Sequence, residues 1–297
     1  MRVRVNHFRL ASPKVARPAK ILVMSDVHNN HEVFAGMLKR AEKEAPNYIC
    51  LAGDTLDRTD CDVAGLVGWI ESLSKIATVV IGLGNHELGG CGILARSRKG
   101  YGENLDFYAA VDKIKNCALL NETFETFSPE NWLTFGAVNM PKEWYSGVAR
   151  ESQAEFRKVL ETVPAKALEA DRFNVLISHS PNGWLTRGRL ISWKEAPILK
   201  KLDLILSGHN HGGLVPRVLR PIMMNRGFIG PKYKMWQPHA FGHWTDGRTS
   251  LVLSNGVTKF AETSGFSAAG RFLNKFWISE IEIIELVPAE KYQLTKC

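Results

Sequence analysis

The sequence predicts an α/β protein built on a parallel sheet. Three short apolar runs, at residues 21–24, 48–52 and 78–81, each suit a strand that is buried on both faces. Helical periodicity fills the two intervals between these runs. A β-α-β-α-β order of this kind implies parallel strands joined by right-handed crossovers.

The two helices are indicated by apolar residues that recur on one face. Pro46 ends the first helix because proline cannot continue a helix. The two apolar faces comprise Val33, Phe34, Met37, Leu38 and Ala41, then Val63, Leu66, Val67, Ile70 and Leu73.

Weaker patterns predict the remaining elements. Ile281 and Ile283 alternate with glutamates, which predicts a half-exposed strand. Glycines within residues 88–118 predict a mobile loop, and the Pro, Met, Trp and Arg residues of 214–248 predict an irregular one. Other expected elements are helices near 105–114 and 152–163, strands at 119–120, 133–135, 173–177, 202–206, 251–253 and 278–286, and a rough strand over 3–10.

The composition is that of an ordinary globular protein, with 297 residues, 45% hydrophobic and 23% charged. Length alone suggests about two domains. Metal-type side chains between residues 26 and 211 have to converge, however. We therefore expect a single domain over residues 1–297, with a core at about 20–260 and closing strands within 250–287.

The expected location is the cytoplasm. The five cysteines are scattered and form no CxxC, so they predict neither a disulfide framework nor a zinc knuckle. No apolar run approaches the ~18 residues of a membrane span. The basic N-terminus lacks the apolar stretch of a signal peptide.

Positive charge is concentrated in one part of the chain. The formal net charge is +8, and residues 182–236 contain ten Lys and Arg against two acids. Basic groups beside a site favour anionic ligands such as phosphates, nucleic acid or an acidic membrane surface. The alternative account is a solubilising surface.

Residues 207–213 carry the strongest local pattern, because two histidines lie two residues apart between glycines, directly after an apolar run. Side chains at i and i+2 of an extended chain point the same way. Sites in open α/β sheets form at the carboxyl ends of the strands, so we expect such residues to meet there. Five apolar runs end in metal-type residues, namely Asp26 and His28, Asp54, Asn85 and His86, His179, and His209 and His211.

This residue set indicates a site for two metal ions. Carboxylate, imidazole and amide ligands suit Mn, Fe, Zn or Co better than Ca or a thiolate-bound metal. The set is too large for one ion, whereas two ions roughly 3.5–4 Å apart would use all of it with one bridging carboxylate. Each motif alone is more often a turn, a cap or a buried core histidine, so the indication rests on their joint order at strand ends.

The order of motifs resembles that of the calcineurin-like metallophosphoesterase superfamily: Asp-x-His, Gly-Asp, Gly-Asn-His-Asp/Glu, His and Gly-His-x-His, over about residues 20–260. The resemblance implies a four-layer α/β/β/α sandwich in which a hydroxide between two divalent ions attacks phosphorus. It also implies that His86 contacts the phosphate or protonates the leaving oxygen. The implied ligands are Asp26, His28 and His211 for one ion, Asn85, His179 and His209 for the other, and Asp54 as the bridge.

Two finer resemblances point in different directions. Residues 53–58, Gly-Asp-x-x-Asp-Arg, are similar to the protein Ser/Thr phosphatases, which implies that Asp57 pairs with His86 and that Arg58 contacts the substrate. A surface ion pair is the alternative account of Asp57 and Arg58. The Gly-Gly after the last histidine, the Ser-Asn-Gly at 254–256 and residues 271–274 resemble the bacterial phosphodiesterase branch that includes UDP-2,3-diacylglucosamine pyrophosphohydrolase-like enzymes.

We therefore expect a metal-dependent hydrolase that acts on a phosphodiester or pyrophosphate in a small-molecule or lipid-linked substrate. The alternatives are a Ser/Thr-phosphatase-like phosphomonoesterase and a nuclease of the same fold, the latter motivated by the basic stretch. A scaffold without chemistry is disfavoured because every motif is present. Residues 217–224 offer a further expectation, contact with a membrane interface.

Overall fold

Two sheets and their flanking helices make up a mixed α/β fold, which confirms the predicted fold class. The computed structural model describes residues 3–57, 62–89, 105–140, 145, 150–163, 167–186, 189–228, 236–258 and 277–297. The helices are α1 (His31–Glu44), α2 (Val63–Ser74), α3 (Leu105–Val111) and α4 (Arg150–Thr162).

The first sheet has seven strands in the order β15-β1-β14-β2-β3-β4-β5. Strands β2 to β5 are parallel to one another, as the order of apolar runs predicts for the first three. The strands are β1 (Val3–Ser12), β2 (Ala19–Met24), β3 (Tyr48–Ala52), β4 (Thr78–Gly82), β5 (Cys117–Leu120), β14 (Ser279–Pro288) and β15 (Gln293–Lys296).

The second sheet has six strands in the order β12-β13-β11-β8-β7-β6. Its four central strands are parallel, and the strand at each edge is antiparallel to its neighbour. The strands are β6 (Phe124–Glu130), β7 (Leu133–Val138), β8 (Phe173–Ile177), β11 (Leu204–Ser207), β12 (Gly242–Thr245) and β13 (Ser250–Leu253); a separate hairpin pairs β9 (Leu185–Thr186) with β10 (Arg189–Leu190).

The sheets pack on each other through alternate residues of their strands. Val23 and Cys50 of the first sheet share one apolar cluster with Val175 and Leu206 of the second. Residues on the opposite faces of the same strands pack with the helices instead. The strands are therefore apolar on both faces because each sheet is covered on both faces.

Polar caps set the helix boundaries close to the predicted ones. Oδ1 of Asn30 accepts the Glu32 N–H at 3.1 Å at the start of α1. The helix ends at Glu44, and its C-cap Ala45 is in the left-handed region directly before the predicted stop at Pro46. At the start of α2, Oδ1 of Asp62 accepts the Gly65 N–H at 3.0 Å. An N-cap of this kind satisfies a donor that the helix itself leaves without an acceptor.

Strand β14 contradicts the prediction of a half-exposed strand. Glu280 and Glu282 are only 3% and 1% exposed. Strand β14 runs between β1 and β2, and side chains that include Asn6 and Arg220 cover the face that carries these glutamates. Oε2 of Glu280 accepts from the side-chain amide of Asn6, and Oε1 accepts from Nη1 of Arg220 at 2.9 Å.

Two smaller differences concern the end of a helix and one loop. Helix α3 ends at Val111, before Ile114. The expected irregular loop at 214–248 contains a 3₁₀ helix at Arg217–Ile222 and strand β12. Most of the loop predicted within 88–118 lies outside the described residues, at 90–104. Among the described residues, no helix has the length and apolar character that crossing a membrane requires.

Candidate metal centre

Six of the seven predicted metal ligands, all except Asn85, lie in clusters at the carboxyl ends of strands from both sheets. Asp26, Asp54 and Asn85 follow β2, β3 and β4 of the first sheet, while His179 and His209 follow β8 and β11 of the second. All seven predicted ligands are buried, and none is more than 7% exposed. The sheet-to-sheet packing therefore gathers residues that are far apart in the sequence.

One cluster contains Asp26, His28 and His211. Oδ1 of Asp26 lies 3.1 Å from Nε2 of His211. The Nε2 atoms of His28 and His211 are 3.3 Å apart. Ligand atoms on a single ion, with bonds of about 2.1 Å, lie roughly 3 Å from one another. The spacing of this cluster therefore fits one metal ion.

A second cluster contains Asp54, His179 and His209, whose ligand atoms lie within 4.8 Å of one another. Oδ2 of Asp54 is 3.1 Å from Nε2 of His179. Asp54 also belongs to a third group, with His28 and His86. The clusters could thus hold two metal ions, with Asp54 between them.

Hydrogen bonds to main-chain carbonyls orient two of the histidines. Nδ1 of His179 lies 2.7 Å from the Ala52 oxygen, and Nδ1 of His211 lies 3.2 Å from the Thr258 oxygen. Since a carbonyl accepts only, each Nδ1 carries the proton and donates it. Each Nε2 is therefore left to face the cluster, and an N–H bond from the other ring nitrogen to a carbonyl is the arrangement that metal-binding histidines commonly adopt.

The buried carboxylates of Asp26 and Asp54 are stabilised by neighbouring positive charge. Burial alone would raise the pKa of Asp26 and Asp54, but neighbouring histidines hold both pKa values below their ordinary range, His211 in the case of Asp26 and His179 in the case of Asp54. Burial would lower the pKa of His179, yet the carboxylates of Asp54 and Asp26 raise it to about 10. A metal ion would supply the same positive charge.

The surroundings of His209 favour the neutral form of its imidazole. Burial, followed by the charge on His179, lowers the pKa of His209 to about 3. Its Nε2 atom is buried and makes no hydrogen bond with any described residue. A neutral imidazole with a free lone pair in a cluster with a carboxylate fits a divalent ion.

Five of the predicted ligands adopt a left-handed main-chain conformation. The φ angles are 53° at Asp26, 51° at His28, 51° at Asp54, 74° at His209 and 43° at His211. Residues with a Cβ atom rarely occupy this region, and such strain concentrates at functional sites. The surrounding contacts therefore fix these side chains at the expense of main-chain stability.

Glu87 ties the loops of the first sheet together. Its fully buried carboxylate accepts N–H groups from Asp54, Leu56 and Gly84 at 3.0, 2.7 and 2.7 Å. Burial and the neighbouring charge of Asp54 raise the pKa of Glu87 to about 7. Oδ1 of Asp54 in turn accepts the His86 N–H at 2.8 Å. The loops after β3 and β4 thus form one hydrogen-bonded unit.

Two further predicted site residues, His86 and Asp57, lie beside this unit. The His86 side chain is 16% exposed, and its Nε2 lies 3.9 Å from Oδ2 of Asp54. Oδ2 of Asp57, the residue predicted to pair with His86, lies 3.7 Å from Nδ1 of His28. Arg58 lies outside the described residues. The proposed roles of Asp57 and Arg58 stay predictions.

Two residues that support the site were not singled out from the sequence. Glu87 is the last residue of the Gly-Asn-His-Glu motif, so the motif itself could have pointed to it. Thr258 accepts from His211, and its hydroxyl donates to the Val27 carbonyl at 2.6 Å. Its nearest sequence signal is the Ser-Asn-Gly at 254–256, which places no particular side chain at the site.

Two relatives of this chain are described as uncharacterized metallophosphoesterases. A protein of Campylobacter jejuni, described as an uncharacterized metallophosphoesterase, is 22% identical over 242 residues, which cover 78% of this chain and 56% of that protein. The chain thus spans little more than half of that relative. An uncharacterized metallophosphoesterase of Aquifex aeolicus is 26% identical over 219 residues, covering 72% of this chain and 71% of its own length.

Among solved structures, TT1561 of Thermus thermophilus matches with a TM-score of 0.47 and 11% identity, covering 81% of this chain and 91% of that one. A dimetal phosphatase from Danio rerio has a TM-score of 0.41 and 10% identity, with coverages of 80% and 87%. The family model for calcineurin-like phosphoesterases matches residues 19–213, which include every predicted metal ligand. The chain therefore belongs to the calcineurin-like phosphoesterase family.

Proposed function

We propose that this chain is a two-metal hydrolase that cleaves a phosphodiester or pyrophosphate bond. The observation that carries the proposal is the meeting of Asp54 with both His28 and His179, which joins the two clusters through one carboxylate. Two bound divalent ions would activate a water molecule and neutralise charge on the phosphoryl oxygens. The residues of the chain would hold that arrangement rigid, through Glu87 and the main-chain bonds of the ligand loops.

His86 is the candidate for proton transfer. Its ring packs against His28 at a centroid distance of 4.4 Å, yet its side chain keeps some exposure to solvent. A substrate that enters from solvent would therefore meet His86 before the fully buried ligands. An imidazole at that position can protonate the departing oxygen.

The preference for a diester is supported by the pairing of Arg220. A Cβ atom at Gly212 would lie 3.1 Å from Nη2 of Arg220, so this guanidinium borders the loop that carries His211. Its Nη1 donates to Glu280 at 2.9 Å. Because Glu280 compensates the charge of Arg220, this side chain adds little attraction for the second negative charge of a monoester.

We further propose that the chain lies in the branch that includes UDP-2,3-diacylglucosamine pyrophosphohydrolase-like enzymes. Gly212 and Gly213 correspond to the Gly-Gly that resembles this branch, and their φ angles are 63° and 60°. Asn255 of the Ser-Asn-Gly motif donates to Glu280. Residues 271–274, the third feature of the branch, lie outside the described residues.

The test compares hydrolysis of bis(p-nitrophenyl) phosphate with that of p-nitrophenyl phosphate by the manganese-loaded protein. We expect faster hydrolysis of the diester. Asp54→Asn protein should bind less metal. Its activity should fall by more than the roughly 10–100-fold loss that is typical when a residue behind a metal ligand is changed. Asp203→Asn is the matched control, because Asp203 is also buried but bonds Lys14 and the Asn174 N–H.

Two results would contradict the proposal. A preference for the monoester would favour the phosphomonoesterase alternative. Full activity of chelator-treated Asp54→Asn protein would remove the two-metal mechanism altogether.

A further inference from the structure

One segment beside the metal centre carries most of the exposed apolar surface. Five large apolar side chains are exposed among the described residues, and four of them lie within 218–236. Val218, Ile222, Met224 and Trp236 are 83%, 73%, 86% and 56% exposed, and are called here the apolar ridge. The fifth, Trp193, is 44% exposed and lies elsewhere in the sequence.

The segment that carries Val218, Ile222 and Met224 is packed onto the rest of the protein. Leu219 and Met223 turn inward onto a small apolar cluster that includes Val215 and Phe241. The Met223 N–H donates to the Leu219 carbonyl at 3.2 Å within the 3₁₀ turn. Val218 and Ile222, each directly before an inward residue, are thereby held outward. Their exposure is a property of the folded segment, because the inward face is already occupied.

Met224 gives a second indication that the outward residues are not core residues. It adopts a left-handed conformation with a φ angle of 47°, which is unfavourable for a residue with a Cβ atom. Neither packing nor main-chain preference therefore accounts for an apolar side chain at this position. A partner outside the chain would account for it.

The charge around the ridge selects the kind of partner. Arg226, two residues after Met224, is exposed, and the amino-acid sequence over residues 204–245 contains no Asp or Glu. Exposed apolar residues next to basic ones are typical of surfaces that lie in the headgroup layer of anionic bilayers. Nucleic acid would match the charge, but its phosphate backbone is contacted by polar groups and leaves the apolar tips without partners.

The ridge is also joined to the loop that carries His209 and His211. The Phe228 N–H donates to the Gly213 carbonyl at 2.8 Å, and a Cβ atom at Gly213 would lie 2.3 Å from Cα of Gly227. The two main chains are thus in direct contact. Docking of the ridge would hold the metal centre close to phosphoesters at the surface.

We propose that the apolar ridge docks this protein on the surface of a bilayer that contains anionic lipid. Val218, Ile222 and Met224 enter the boundary between headgroups and acyl chains, while the exposed Arg226 binds a lipid phosphate. The inference concerns this surface alone and does not depend on the proposed reaction.

The test is co-sedimentation of the full chain with vesicles of phosphatidylcholine, with and without phosphatidylglycerol. We expect binding to the vesicles that contain phosphatidylglycerol, weakened by added salt. Combined Val218→Ser, Ile222→Ser and Met224→Ser should reduce the bound fraction about tenfold, because the apolar area that enters the bilayer is removed. Arg226→Glu should weaken binding separately, and Trp193→Ser should leave it unchanged as the matched control.

Other outcomes would overturn the inference. Equal binding of the triple variant and the unmodified protein would remove the ridge from the interaction. Displacement from vesicles by DNA, with tight DNA binding by the triple variant, would assign the surface to nucleic acid. Asp54→Asn protein should bind vesicles normally, so that loss of hydrolysis and loss of docking are scored independently. Melting curves establish that each variant is folded.

Discussion

Oε2 of Glu87 accepts the main-chain N–H of Asp54 at 3.0 Å, and so positions the proposed bridging carboxylate from behind. The same carboxylate serves Leu56 and Gly84. Glu87→Ala leaves three buried donors without this acceptor. Since each such group costs about 1–3 kcal/mol, we expect a fall of roughly 3 kcal/mol or more in the free energy of unfolding. Urea unfolding measures the fall, and elemental analysis measures the metal content that should fall with it.

The control for this prediction is Glu125→Ala. Glu125 accepts N–H groups from Asn121 and Glu122 at 2.9 and 3.3 Å, but in a partly exposed turn where water can replace it. We expect a loss of about 1 kcal/mol or less at that position. Similar losses for both variants would show that Glu87 has no special role.

A Cβ atom at Gly84 would displace Asp54. It would lie 2.3 Å from Oδ1 and 2.4 Å from the main-chain nitrogen of Asp54. Gly84→Ala should therefore destabilise the protein by about 1–3 kcal/mol, as overpacking of a buried site does. It should also slow diester hydrolysis by about a hundredfold, since a displacement of a site by roughly 1 Å has that effect.

Gly68→Ala is the matched control for this substitution. Gly68 is exposed in α2, and nothing lies within 4 Å of its added Cβ. Alanine there should raise the free energy of unfolding by roughly 0.5–1 kcal/mol, because glycine is a poor helix former. If both alanine variants retained full activity, the close approach of Gly84 to Asp54 would be irrelevant to the site.

The strained main chain at His209 predicts a difference between two variants that both lose the ligand. The φ angle of His209 is 74°. An alanine at this position would keep the strain of the left-handed conformation, whereas a glycine would relieve it. We expect His209→Gly to be more stable than His209→Ala by about 1 kcal/mol. Thermal melting of the two metal-free proteins measures this difference, and identical curves would argue against strain at His209.

Glu282 should make stability depend on pH. Burial, with a smaller effect of Glu280, raises its pKa from 4.5 to about 8, while Lys296 acts in the opposite direction. The folded chain therefore keeps this proton when the unfolded chain has lost it. The resulting stabilisation is fully present below pH 4.5 and is lost as the pH rises towards 8.

Glu282→Gln removes the titrating group, so it should flatten the decline in unfolding free energy between about pH 5 and 8. Urea titrations at the two ends of this range test the prediction. Glu285→Gln, on a partly exposed position of the same strand, is the control. An unchanged slope in Glu282→Gln protein would place the pH dependence at other groups.

Sequence periodicity predicted the parts of the fold that depend on local pattern. The apolar runs that became β2, β3 and β4 are buried on both faces, and Asp26 and Asp54 closely follow two of them. Parallel strands bring such residues to one edge, so the convergence of ligands could be foreseen. Their roles as ligands stay predictions.

What could not be predicted depends on distant pairing and on main-chain conformation. Glu280 pairs in register with Arg4 across the sheet, and the local alternation of glutamate and isoleucine says nothing of that neighbour. The left-handed φ angle of Asp26 could not be predicted either, because among the amino acids only glycine readily indicates such a conformation.

The division of the predicted ligands between the two sheets has a consequence for metal binding. The first sheet contributes both carboxylates, Asp26 and Asp54, while the second contributes His179, His209 and His211. Neither half of the molecule contains a complete coordination sphere. An ion bound by residues of both sheets would stabilise the packing of one sheet on the other. Retention of the ion on a desalting column would show that the two sheets are packed together.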